Sequence, residues 1–123
     1  MNITEAEWLI MNVLWGEAPL TTKEIVEKLA DERKWSRNTV RTLIVRLMEK
    51  ELIGADKSSS NFKYYPLVEK KYCQMNQTKK LINRIYNGSL GMLVRNFVDQ
   101  TELTEEDRQE LLQIINEGSK GGK

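Results

Sequence analysis

A chain of 123 residues, 40% of them hydrophobic, is sized for one small domain or for one domain with an added helical arm. It contains no histidine, which removes Ser-His-Asp and Cys-His nucleophiles and every histidine-containing zinc site, and its single cysteine, Cys73, excludes a disulfide within the chain. The net charge of +1 is an average over opposed regions: Arg33 to Lys63 carries eight cations and three anions, a balance of +5, whereas Thr101 to Lys123 carries three cations and six anions, a balance of −3. A basic middle of this kind is an electrostatic footprint for a polyanion, although a solvated charged face gives the same count.

No stretch approaches the ~20 consecutive apolar residues of a membrane span. The start, Met1-Asn2-Ile3-Thr4-Glu5, has neither a basic region nor a cleavable apolar core. The expectation is a cytoplasmic protein without membrane insertion.

Taken in chain order, Thr4-Glu5-Ala6-Glu7 opens a first helix as a capping box. Trp8, Met11, Leu14 and Trp15 follow at helical spacing, Leu9 and Val13 widen the stripe, and Gly16 and Pro19 end it. Thr21-Thr22-Lys23-Glu24 opens a second helix over a stripe of Ile25, Val26 and Leu29. After a polar break from Asp31 to Trp35, Ser36-Arg37-Asn38-Thr39 starts a third. Its buried face is Val40, Leu43, Ile44 and Leu47; Asn38, Arg41, Thr42, Val45 and Arg46 fall opposite. A valine among those polar side chains is odd for a face that only meets water.

Two β-like runs, Leu52 to Lys57 and Phe62 to Pro66, flank the polar turn Ser58-Ser59-Ser60-Asn61 and predict a hairpin, with Pro66 stopping the second strand at an edge. Residues 68–86 then form one long helical candidate, interrupted by Asn87-Gly88, and residues 89–98 a shorter one. Thr104-Glu105-Glu106-Asp107 caps a last helix, whose acidic first turn suits the positive end of its dipole.

The order helix, helix, helix, hairpin predicts a mainly α fold. A winged helix-turn-helix DNA-binding domain covers 3–66, a helical dimerisation domain 67–118 and a flexible tail 119–123. In such a unit the third helix enters the major groove. Arg41 is the first candidate for a guanine, because its planar fork pairs with O6 and N7. Thr42 can donate to a base or phosphate or offer its methyl to thymine, and Val45 can meet a thymine methyl. Arg37, Asn38 and Arg46 suit phosphates, with Lys57 and Lys63 on the wing, and Thr39 completes the DNA-binding set.

Plainer readings stand beside these: solvent-facing helix charges for Arg41 and Arg46, a helix-start role for Asn38, and edge-strand charges that discourage aggregation for Lys57 and Lys63. Trp8 and Trp15 share a helical face and read as core packing rather than base stacking. Trp35 precedes the Ser36 cap as a hydrophobic staple. Cys73 reads as a buried or half-buried inert thiol rather than a redox sensor. No metal-ligand spacing and no convergent catalytic set is present, so the chain is not expected to be an enzyme, to hold a cofactor or metal, or to take a small-molecule substrate.

The second half is apolar on faces too wide for helices that fold alone. A two-fold homodimer would bury Tyr72, Met75, Ile82 and Ile85 on the long helix. It would also bury Leu90, Leu93, Val94 and Phe97 on the next, and Leu111, Leu112 and Ile115 on the last. It would set two recognition helices about one DNA turn apart, on double-stranded DNA with an inverted-repeat operator.

Several runs carry a resemblance: Ile3 to Trp8, Met11 to Trp15, Trp35-Ser36 through Thr39-Val40-Arg41-Thr42-Leu43-Ile44-Val45-Arg46-Leu47, Tyr64-Tyr65, and Leu93-Val94-Arg95-Asn96-Phe97-Val98. With the acidic last helix, they resemble the penicillinase-repressor (BlaI/MecI) family from about Ile3 to about Asn116. The resemblance implies a dimeric repressor of genes for a β-lactamase or a resistant penicillin-binding protein. It also implies release through a membrane sensor with a zinc-protease domain, the repressor being cut between Asn96 and Phe97. The chain departs from the family's pattern at Arg95, where an apolar residue is expected. It also lacks the C-terminal Cys-x-Cys pairs of a copper-responsive branch. Two other readings stay open: a winged-helix regulator of another operon, and a protein-interaction module that no longer binds DNA.

Overall fold

The computed structural model describes residues 2–100 and 102–121. The elements run α1 (Glu5–Glu17), α2 (Thr22–Lys28), α3 (Arg37–Glu49), β1 (Ile53–Asp56), β2 (Lys63–Pro66), α4 (Lys70–Tyr86), α5 (Leu90–Gln100) and α6 (Glu105–Gly121). Packing divides the chain into two units, residues 1–78 and 79–123. The division falls inside α4, later than the expected 66/67 boundary. The reason is packing: Cys73, in the first turn of α4, is fully buried in the core of the first unit. Just before it, the Val68 carbonyl accepts from Trp15 Nε1 at 2.9 Å.

The first three helices begin where their caps dictate. Thr4 Oγ1 accepts from Glu7 N at 3.2 Å while Glu7 Oε1 accepts from Thr4 N at 2.9 Å. Thr21 and Glu24 repeat the exchange at 3.2 and 2.8 Å. Ser36 Oγ accepts from Thr39 N at 3.2 Å. Each cap satisfies a donor that the helix itself leaves unpaired and contributes about 1 kcal/mol.

The core is built from Ile10, Met11 and Leu14 of α1, Ile25 and Leu29 of α2, and Val40, Leu43, Ile44 and Leu47 of α3, closed by Leu52, Ile53 and Tyr64. On α1 this differs from the expected stripe. Ile10 and Glu7 are buried, and Trp8 and Trp15 lie half-buried at the margin, ring centroids 5.5 Å apart and tilted by 54°. The wing pairs antiparallel, Ile53 with Pro66 through Asp56 with Lys63. A third segment joins it at one residue: Leu20 N donates to Tyr64 O at 3.1 Å and Tyr64 N to Leu20 O at 2.7 Å. That bridge ties the wing to the segment between α1 and α2.

Glu7 has a second role. Lys50 Nζ, at the C-cap of α3, lies 2.6 Å from Glu7 Oε1 and donates also to the Asn2 carbonyl at 2.6 Å. The bond joins the start of α1 to the end of α3. Burial pushes the Glu7 carboxyl up, but the Lys50 hydrogen bond, the Thr4 N–H and the Lys50 charge together hold it below the usual carboxylate range.

In the second unit, Asn87 (φ 50°) and Gly88 (φ 86°) turn the chain out of α4. Ser89 Oγ caps α5 through Met92 N at 3.1 Å, and Thr104 Oγ1 caps α6 through Asp107 N at 3.0 Å. Helix α6 runs on to Gly121, so of the expected tail only Gly122 and Lys123 lie outside the described residues. No described residue of this unit is buried.

Removing Lys50 leaves Glu7 buried without its cation. Lys50→Ala is expected to cost about 1–3 kcal/mol at neutral pH. The folded-state pKa of Glu7 lies below its unfolded value. The pairing therefore stabilises fully above the unfolded carboxylate pKa and is lost as pH falls through the folded one. Urea titrations of both proteins across that range should show the gap between them narrowing as the solution is acidified.

Candidate nucleic-acid interface

Helix α3 is held by the burial of Val40, Leu43, Ile44 and Leu47, which fixes its rotation and turns Asn38, Arg41, Thr42, Val45 and Arg46 to solvent. Its exposed side chains are partly organised among themselves. Arg41 Nη1 donates to Asn38 Oδ1 at 3.4 Å, a long contact that leaves most of the guanidinium fork free. Thr42 Oγ1 donates to the Asn38 carbonyl at 3.0 Å. Thr39 Oγ1 lies 3.2 Å from Ser36 Oγ, so this expected DNA-binding residue is also part of the helix cap. Val45 is 48% exposed.

Arg37 and Arg41 open onto a cleft of about 450 Å³ that also takes in Thr21, Thr22 and Lys23 at the start of α2 and Ser60, Asn61, Phe62 and Tyr64 of the wing. No carboxylate lines it. Among the described ion pairs none involves Arg37, Arg41 or Arg46, so their positive charge is directed outward. Lys23, Ser60, Asn61 and Phe62 lie outside the DNA-binding set expected from the sequence. The polar hairpin tip and the second helix start were visible, but not their convergence on α3.

The wing cations stand on either side of the turn. Lys57 Nζ sits 5.6 Å from the centroid of the Phe62 ring, within cation–π range. Lys63 is exposed on β2, opposite Asp56. The Ser58 N–H, donating to Asp56 Oδ1 at 3.0 Å, holds that carboxyl below its ordinary range, with a smaller effect from Lys63.

Asn96 and Phe97 are exposed inside α5, and Phe97 lines a groove with Leu103 and Leu111. Of the side chains expected at a dimer face, Ile82 and Leu93 are half-buried. Tyr72, Met75, Ile85, Leu90, Val94, Phe97, Leu111, Leu112 and Ile115 are exposed, Ile115 to 64%. Cys73 is buried, and burial pushes its thiol up, away from the reactive thiolate. Among the described residues no helix is long and apolar enough to cross a membrane.

Three helices, a hairpin wing and a basic helix face without an ion pair among the described residues are the parts of a winged helix-turn-helix DNA-binding protein. The chain belongs to the penicillinase repressor family, whose model matches residues 3–117. It is 37% identical to the methicillin resistance regulatory protein MecI of Mammaliicoccus sciuri over 94% of each chain. It is 35% identical to the penicillinase repressor of Staphylococcus aureus over 98% of this chain and 95% of the other. Among solved structures it resembles the monomeric form of Bacillus licheniformis BlaI in complex with the blaP half-operator, at TM-score 0.50 and 28% identity, over 58% of this chain and 87% of that one. The family is one of DNA-binding transcriptional repressors, not enzymes.

The two faces of α3 should respond oppositely to truncation. Leu43→Ala is expected to cost about 2–5 kcal/mol of stability, whereas Arg41→Ala and Val45→Ala should change it by less than about 0.5 kcal/mol. Urea denaturation of the three variants checks this division.

Proposed function

We propose that this protein represses transcription in the cytoplasm by binding, as a homodimer, an inverted-repeat operator of β-lactam-resistance genes. The observation that carries the reading is the outward side of α3: Arg37, Arg41 and Arg46 have no ion pair among the described residues, and the first two line a cleft with no carboxylate among its described residues. In this reading α3 lies in the major groove with Arg41 on a guanine. Arg37, Asn38 and Arg46 bind phosphates, joined by Lys23 from α2 and by Lys57 and Lys63 from the wing. The names of the relatives and the operator complex of the B. licheniformis protein support it.

The partner in the second unit is another copy. Amphipathic helices with no described residue of the unit buried draw little stability from their own packing, and most helix stability comes from burying the apolar face. A two-fold pairing would cover Leu90, Val94, Phe97, Leu111, Leu112 and Ile115 and link two α3 helices in one complex.

Repression ends, in this reading, when a β-lactam-sensing membrane pathway has the chain cut between Asn96 and Phe97. Both side chains are exposed, but the bond lies within α5, so the helix must open locally before a protease can hold it. The cut severs Phe97 and all of α6 from the rest of the interface.

Fluorescence anisotropy on the protein's own promoter, against scrambled DNA and across a salt series, tests the DNA reading. Arg41→Ala should lose about 5- to 150-fold in specific affinity, as expected for one bidentate base contact. Arg46→Ala should weaken specific and non-specific binding alike and lower the salt slope by about 1. Equal affinity of the unaltered protein for both DNAs would refute operator recognition.

Sedimentation equilibrium tests the pairing. The intact chain should be dimeric, and Ile115→Asp or the chain ending at Asn96 should be monomeric at the same concentration. An intact chain that stays monomeric would remove the homodimer.

A further inference from the structure

We infer that α3 recognises thymine through its 5-methyl group, using an apolar strip formed by the methyl groups of Thr42 and Val45; the inference rests on the DNA-binding reading above. Residues three apart on a helix are neighbours on one face. Thr42 and Val45 therefore form one patch, set between Arg41 and Arg46 on the outward side of α3.

The hydrogen bonding of Thr42 decides what that patch offers. Its hydroxyl donates back to the Asn38 carbonyl at 3.0 Å, an i−4 bond that helical threonines often make. The side chain's only proton donor is committed inside the helix, and its methyl remains to face a ligand. Val45, 48% exposed, has only methyl groups. The two give an apolar island on a face otherwise made of cations and amides.

The major groove offers one apolar feature to match. Guanine, cytosine and adenine present only hydrogen-bonding groups there, whereas thymine adds a C5-methyl. On one side Arg41 reaches a guanine edge and on the other Arg46 complements the phosphate charge, so the island is carried to the groove floor rather than to a protein surface. Each half-site should therefore hold thymine beside the guanine read by Arg41. Sequence discrimination by this helix then has two components, a charged fork and a methyl contact.

The experiment uses the full-length protein and the duplex it selects from a randomised pool, resynthesised with 2′-deoxyuridine in place of one thymine at a time. This exchange deletes a methyl and leaves base pairing intact. One buried methyl corresponds to about fourfold in affinity per half-site, and to about fifteenfold when both halves are substituted. Loss of that size is expected at one or two thymines per half-site. Val45→Ala should bind the thymine duplex more weakly and discriminate less against the uracil duplex, with only the Thr42 methyl left; Val45→Thr, which keeps one methyl at position 45, should lose less. Sequence-specific binding that is indifferent to uracil at every position overturns the methyl contact while leaving DNA recognition intact. Failure to select any sequence overturns both.

Discussion

Helix α3 must bury one side and expose the other, and most of what this protein can do depends on that division. Val40, Leu43, Ile44 and Leu47 each gain roughly 1.5–3 kcal/mol by leaving water. A one-residue rotation, about 100°, would trade them for Arg41, Asn38 or Arg46 in the core, where an unpaired charge is costly. The rotation of the helix is therefore fixed by its apolar side, and the orientation of every candidate DNA-reading side chain follows. The Glu7–Lys50 bond holds the end of the same helix to the start of α1, and the Leu20–Tyr64 bridge holds the wing to the segment that leads into α2. The second contact joins the wing to the start of α2, two of the segments that line the cleft beside Arg37 and Arg41.

The two units meet the problem of burial differently. The first has a core of its own, with side chains from three helices and the hairpin at or near zero exposure. The second consists of capped, amphipathic helices with no described residue buried. In the proposed homodimer, the stability of such a unit would be tied to its partner by mass action and so would depend on concentration. In the proposed dimer, two reading heads linked through an interface that a single cut removes would make DNA affinity switchable without altering α3.

Local signals made much of this readable in the sequence. The caps at Thr4, Thr21 and Ser36 are decided within four residues, and the two faces of α3 follow from helical spacing alone. The hairpin was marked by its polar tip and by Pro66. What the sequence could not reveal was long-range. Glu7 was visible as a capping residue, but its pairing with a lysine 43 residues away was not. The burial of Ile10 in preference to Trp8 and Trp15 depends on which face meets α2 and α3, and two tryptophans at the edge can satisfy an indole N–H where Ile10 has nothing to satisfy. The cleft draws on three separated segments. Thr42 shows a finer limit: its chemistry allowed either donation to DNA or a methyl contact, and only the bond back to Asn38 separates the two.

In the proposed complex, two copies of the chain place α3 in successive major grooves with Arg41 on guanine. Dimethyl sulfate reacts at guanine N7, on the floor of that groove, so methylation protection on the protein's own promoter reads the contact directly. Such a complex should show protected guanines in two half-sites related by two-fold symmetry, their centres about one helical turn apart, with protection lost in Arg41→Ala at protein concentrations that still saturate the DNA. Bound protein that leaves every guanine N7 reactive, or that protects a single unpaired site, would contradict it.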